Sequence, residues 1–127
     1  MSASKKPVIM IVDDSNTILR VATSFLEPTY KVVTAVDGFA ALAEIVNAKP
    51  DLLFLDVMMP RVNGYDACLA IKSSPEFTDL PVVMLSSKDT PFDKARGALM
   101  GCSDYLTKPF AKDALLEAVR RHLPQTE

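Results

Sequence analysis

Tryptophan is absent from this chain of 127 residues, histidine occurs once, and cysteine twice, at positions 68 and 102. One histidine, His122, and two distant cysteines lack the spacing of a soft-metal site and make no disulfide framework. Cys68 and Cys102 read as reduced thiols of a cytosolic protein. Charge of one sign is also missing. The net charge is −2, with lysines and acids mixed along the chain, so there is no basic stripe of the kind that binds nucleic acid. Arg120 and Arg121, with Lys112 before them, read as a solvated helix face. A long hydrophobic run is lacking too. The first apolar stretch, Val8-Ile9-Met10-Ile11-Val12, follows a polar start and meets Asp13 after five residues. That is too short for a signal-peptide core or a membrane span, and a cytoplasmic protein with no membrane partner is expected. There is no internal repeat, low-complexity tract or linker.

What is present is enough for one domain with a core of its own. A short tail, residues 1–7, precedes a domain expected over residues 8–124. Five apolar stretches predict strands at residues 8–12, 31–35, 52–55, 82–85 and 104–107. Three of them are almost continuously hydrophobic, as in strands covered on both faces. Helical patterns lie between. Ile18, Val21, Ala22, Phe25 and Leu26 recur at helical spacing and stop before Pro28. Asp37 is placed to cap a helix through Leu42, Ile45 and Val46 that ends by Pro50. A helix is predicted over residues 64–74, and another from Pro91 or Phe92 through Ala95, Ala98 and Leu99, closed by Gly101. Leu115, Leu116, Val119 and Leu123 mark the last. Strict alternation of strand and helix predicts an α/β fold with a parallel sheet and helices on both faces.

In such sheets ligands bind beyond the carboxyl ends of the strands. Those ends carry the chemistry of this chain. Asp13 and Asp14 follow the first strand, Asp56 the third, Ser86 and Ser87 the fourth, and Lys108-Pro109 the fifth. Three converging carboxylates repel, and at least one pKa should rise unless a cation is bound. A hard divalent ion relieves the conflict. Mg²⁺ takes oxygen ligands, here Asp13 or Asp14, Asp56 and a backbone carbonyl just after Asp56. With no His or Cys near these positions, zinc and copper are disfavoured. A carboxylate beside Mg²⁺ and a lysine can accept a phosphoryl group, because charge neutralisation is most of what that transfer asks of a protein. Asp56 would be the nucleophile, forming an acyl phosphate.

Four motifs in order, Val12-Asp13-Asp14-Ser15, Asp56-Val57-Met58-Met59-Pro60 with Gly64, Ser86-Ser87 and Lys108-Pro109-Phe110, resemble the receiver domain of bacterial two-component response regulators. The match runs over residues 8–123. The resemblance implies a flavodoxin-like (βα)5 fold with strand order 2-1-3-4-5. It implies Asp56 as phosphoacceptor and Asp13, Asp14, Asp56 and the Met58 carbonyl as the Mg²⁺ set. It makes Lys108 the phosphate-binding lysine, with a cis bond to Pro109, and Ser86 and Tyr105 the switch residues. Phosphorylation would draw Ser86 inward and let Tyr105 rotate from an exposed to a more buried position. The face of the fourth helix, fifth strand and fifth helix would then change shape for a downstream target. The phosphodonor would be a histidine kinase or a small acyl phosphate. The chain would assist its own phosphorylation and dephosphorylation without being an enzyme with independent turnover.

Met59-Pro60-Arg61-Val62-Asn63-Gly64-Tyr65, Leu85-Ser86-Ser87-Lys88-Asp89 and Phe92-Asp93-Lys94-Ala95 are further similar to stand-alone receivers of twitching-motility (type IV pilus) chemosensory systems. Met58 and Lys88 depart from the flagellar chemotaxis receiver, so that protein's fast signal decay is not carried over. Two other classes compete. A haloacid-dehalogenase-type phosphatase would want a second acid two residues after its nucleophile, where Met58 stands. A pseudo-receiver would act as a binding module without phosphorylation, although all five site positions here hold competent residues. The Met start and lack of a linker favour a stand-alone protein over a receiver taken from a larger one.

Overall fold

The computed structural model describes residues 6–58, 63–86, 95 and 101–123. Met59, Pro60, Ser87, Lys88 and nearly all of the helix predicted after Pro91 lie outside these residues. So do residues 1–5 of the predicted tail.

Five strands form one parallel sheet in the order β2-β1-β3-β4-β5, as the resemblance implied. They are β1 (Val8–Val12), β2 (Lys31–Ala35), β3 (Leu52–Asp56), β4 (Val82–Ser86) and β5 (Asp104–Thr107). The three nearly continuous apolar runs are the three central strands, β1, β3 and β4, whose residues are covered on both faces. The edge strands β2 and β5 carry Lys31, Thr34 and Thr107 exposed. Both β3 and β4 run one residue beyond the predicted apolar stretch, which makes Asp56 and Ser86 part of the ladder rather than loop residues.

Helices α1 (Asn16–Leu26), α2 (Gly38–Ala48), α3 (Gly64–Lys72) and a C-terminal helix (Lys112–His122) cover the sheet. Side chains start the first three. Ser15 accepts from the Ile18 amide at 3.3 Å, Asp37 from Ala40 at 2.7 Å and Asn63 from Asp66 at 2.9 Å. Each satisfies an amide the first helical turn leaves without a partner. Asp37 thus caps as expected. The third helix is shorter than the predicted 64–74. It stops at Lys72, and a 3-10 turn, Pro75–Phe77, follows, because Pro75 cannot continue the helical hydrogen bonds. Gly101 has φ 93, the left-handed setting expected of a residue closing a helix.

The period of two sorts the strand residues to two cores. Met10, Leu53, Leu55 and Met84 meet α2 and α3 through Ile45, Ala67 and Ile71. Ile9, Ile11, Phe54 and Leu85 meet α1 and the C-terminal helix through Leu26, Leu115 and Val119. No helix among the described residues is long and apolar enough to cross a membrane.

Candidate functional site

At the carboxyl edge of the sheet, β1 and β3 are hydrogen-bonded neighbours and pair Val12 with Leu55. The next residue of each strand is an acid, so register alone places Asp13 beside Asp56. Both are buried, at 0% and 1% exposure, while Asp14 is exposed. Asp13 is fixed by two backbone contacts. Its amide donates to the Ala35 carbonyl at 3.1 Å, and its Oδ1 accepts from the Ser15 amide at 2.9 Å. Asp56 Oδ1 accepts from the Met58 amide at 3.2 Å. The Met58 side chain points to solvent at 70% exposure.

Lys108 enters from the end of β5. Its amide donates to the Ser86 carbonyl at 2.8 Å, extending the β4–β5 ladder past Ser86 and Thr107. The Lys108–Pro109 bond is cis, as the resemblance implied. The Lys108 ammonium donates to Asp13 Oδ2 and to Asp56 Oδ1, each at 3.1 Å. Ser86 ends β4 at the same edge, buried. Asp13, Asp14, Asp56, Ser86 and Lys108 are therefore brought together from four separate points of the chain. Tyr105 stands apart, mid-strand in β5 and half-buried, with its hydroxyl hydrogen-bonded to that of Tyr65.

Charge does not balance. Two buried carboxylates share one ammonium, and Asp14 adds a third acid. Burial, and then the charge of Asp13, push Asp56 up to about 6, against the pull of Lys108 and the Met58 amide. Burial works to lower the Lys108 pKa, but its hydrogen bond to Asp13 and the charges of Asp56 and Asp13 outweigh that and raise it.

Two observations fit a hard cation. Asp13, Asp14 and Asp56 each offer an oxygen, and these atoms lie within 4.8 Å of one another. Asp56 Oδ2 is buried and, among the described residues, has no hydrogen-bond partner. An all-oxygen set with one unsatisfied carboxylate oxygen suits Mg²⁺ and its retained waters. It does not suit a soft metal.

The chain belongs to the response regulator receiver domain family, whose model matches residues 9–120. Protein PilG of Pseudomonas aeruginosa is 50% identical over 117 residues, covering 91% of this chain and 87% of that protein. This agrees with the narrower resemblance to receivers of pilus chemosensory systems. The chain is also 38% identical over 120 residues to the alkaline phosphatase synthesis transcriptional regulatory protein PhoP of Bacillus subtilis, of which it covers 49%. Among solved structures, chemotaxis protein CheY4 of Vibrio cholerae superposes with a TM-score of 0.90 at 32% identity, covering 93% of this chain and 99% of that one. Receivers are signalling domains rather than enzymes that turn over a separate substrate.

Sequence reasoning missed two arrangements. One is the Tyr65–Tyr105 hydroxyl pair. The other is a charged cluster in which Asp104 Oδ2 meets Arg121 at 2.6 Å and His122 at 2.9 Å. Burial works to raise the Asp104 pKa, but the hydrogen bonds from His122, the Tyr105 amide and Arg121 hold it below the usual carboxylate value. Neither pair has a sequence signature, because each joins an edge strand to a helix through tertiary packing.

Proposed function

We propose that this chain is a phosphoacceptor receiver, a domain spanning residues 8–124 after a short tail of residues 1–7, in which Asp56 takes a phosphoryl group. The observation that carries this reading is Asp56 itself. Its Oδ2 is buried and has no hydrogen-bond partner among the described residues, while its Oδ1 is held by Lys108 and the Met58 amide. A carboxylate so oriented offers one oxygen as nucleophile and keeps the other fixed.

The phosphodonor is a phosphohistidine of a histidine kinase, or acetyl phosphate. An Asp56 oxygen attacks phosphorus as the bond to the imidazole nitrogen or acetyl oxygen breaks, and the leaving group departs with the electron pair. Asp13, Asp14, Asp56 and the Met58 carbonyl would hold Mg²⁺, which would supply positive charge to neutralise the transferred oxygens. Lys108 supplies a second positive charge to those oxygens. Ser86 offers a hydroxyl donor from β4. Tyr105 follows Ser86 in a two-state shift that phosphorylation biases by its differential contacts.

The output is a protein–protein contact in the cytoplasm, with no nucleic acid and no membrane, through the face of the fourth helix expected from the sequence, β5 and the C-terminal helix. The PilG match supports a place in chemosensory control of twitching motility. The test is intact mass after incubation with acetyl phosphate and Mg²⁺. One added phosphoryl group on the parent, absent from Asp56→Ala and absent without Mg²⁺, is expected. No addition despite measured Mg²⁺ binding would favour a pseudo-receiver.

A further inference from the structure

Tyr65 is the second residue of α3 and is 4% exposed. Its backbone position is tied to the phosphoacceptor strand. The neighbouring Gly64 donates its amide to the Val57 carbonyl at 2.9 Å, and a Cβ built on Gly64 would lie 2.2 Å from the Asp56 carbonyl oxygen. The first turn of α3 is thus wedged against the exit of β3.

Tyr105 belongs to the other arm of the site. It pairs in register with Met84, two positions before the Ser86–Thr107 pair and three residues before Lys108. Its side chain packs on the core that contains Tyr65 and Met84. The two hydroxyls are hydrogen-bonded to each other across that core. Tyr65 is buried, so its phenol has little water to turn to, and the half-buried Tyr105 supplies its hydroxyl with a partner.

We propose that Tyr65 is a positioning residue that sets the resting place of Tyr105. Its hydroxyl holds Tyr105 inward before any phosphoryl group arrives, and it links that setting through Gly64 to the strand carrying Asp56. The consequence for signalling rests on the reading of Tyr105 as the switch residue. With the inward setting already populated, phosphorylation has less of the equilibrium left to move. Removing one side-chain hydrogen bond of ordinary net strength changes such an equilibrium about two- to tenfold.

The absence of tryptophan and the presence of only three tyrosines, Tyr30, Tyr65 and Tyr105, make the rings separable by NMR with isotope-labelled tyrosine. Single phenylalanine variants assign them. In unphosphorylated Tyr65→Phe, which keeps the ring and loses the hydroxyl, the Tyr105 signal is expected to move. Its access to a soluble paramagnetic probe should rise about two- to tenfold, with Tyr30 unchanged. The reciprocal Tyr105→Phe should shift the Tyr65 signal, and it decides the matter if Tyr65→Phe does not fold. An unchanged Tyr105 signal and access in Tyr65→Phe, or an unchanged Tyr65 signal in Tyr105→Phe, overturns the proposal. Phosphoryl uptake by intact mass on the same samples is a separate readout. Uptake with an unmoved Tyr105 sinks the Tyr65 proposal alone. A moved Tyr105 in a chain that takes no phosphoryl group supports the pairing and sinks the phosphoacceptor reading.

Discussion

One ammonium, that of Lys108, lies 3.1 Å from Asp13 Oδ2 and 3.1 Å from Asp56 Oδ1, joining the ends of β1, β3 and β5. Its side chain is 20% exposed, and both carboxylates are buried. Lys108→Met leaves two adjacent acids with no cation from the described residues. Breaking a buried pair by removing one partner costs about 3–5 kcal/mol, and the partial exposure of the lysine points to the lower end. Urea unfolding of the metal-free protein should show this loss. Added Mg²⁺ should recover part of it, because the ion supplies the missing charge. Phosphoryl uptake should fall even with Mg²⁺ present.

The raised pKa of Asp56 predicts a pH dependence of known sign. Its folded value of about 6 lies above the unfolded reference of 3.8, so between these values the native state holds a proton that the unfolded state has lost. The contribution of Asp56 to stability therefore decreases as pH rises from about 4 through about 6. In EDTA, Asp56→Asn should be more stable than the parent at pH 7, by about 1–3 kcal/mol, and nearly equal to it near pH 4. A parent that is as stable as Asp56→Asn at neutral pH would sink this account. Asp104, whose pKa is lowered, has the opposite sign. Its contribution is present above 3.8 and is lost as pH falls through its folded value.

Gly64 has no room for a side chain. A Cβ would meet the Asp56 carbonyl oxygen at 2.2 Å and the Val57 Cα at 2.8 Å, and backbone atoms cannot rotate away as a long side chain can. Gly64→Ala should cost about 1–3 kcal/mol, the usual range for overpacking. It should also slow phosphoryl uptake, because relief requires the end of β3 or the start of α3 to move. Unfolding and uptake measured on one preparation check both. Normal values for both would show that the wedge between α3 and β3 is dispensable.

Met58 offers its amide to Asp56 while its side chain stands in solvent. A thioether cannot orient an attacking water, so slow loss of phosphate is expected. Met58→Asn should speed that loss by roughly tenfold, below the 10²–10⁴ that a fully positioned base supplies. Decay followed by intact mass after removal of the donor is the measurement. Decay no faster than in the parent rejects the idea.

Much of this was legible in residue order. The apolar runs of β1, β3 and β4 show as near-continuous stretches because both faces of a central strand are covered. Pro28 and Asp37 mark helix ends through local backbone chemistry. Acids stand directly after the apolar runs of β1 and β3 and a lysine after β5, where a parallel sheet gathers its strand ends. Less legible were the end of α3 at Lys72, where Pro75 could also have begun a loop, and the half-buried setting of Tyr105 on the edge strand β5.

Sequence by itself therefore determined the alternating elements, the parallel sheet and the identity of the five polar groups at its carboxyl edge, because periodicity, capping and the cost of burying charge act locally along the chain. Only the tertiary structure decided that Lys108 spans both Asp13 and Asp56, that Asp56 Oδ2 is left unpaired among the described residues, and that the Tyr65 and Tyr105 hydroxyls meet. Those contacts depend on register between strands and on how closely a helix seats on the sheet, and no short stretch of residues encodes either.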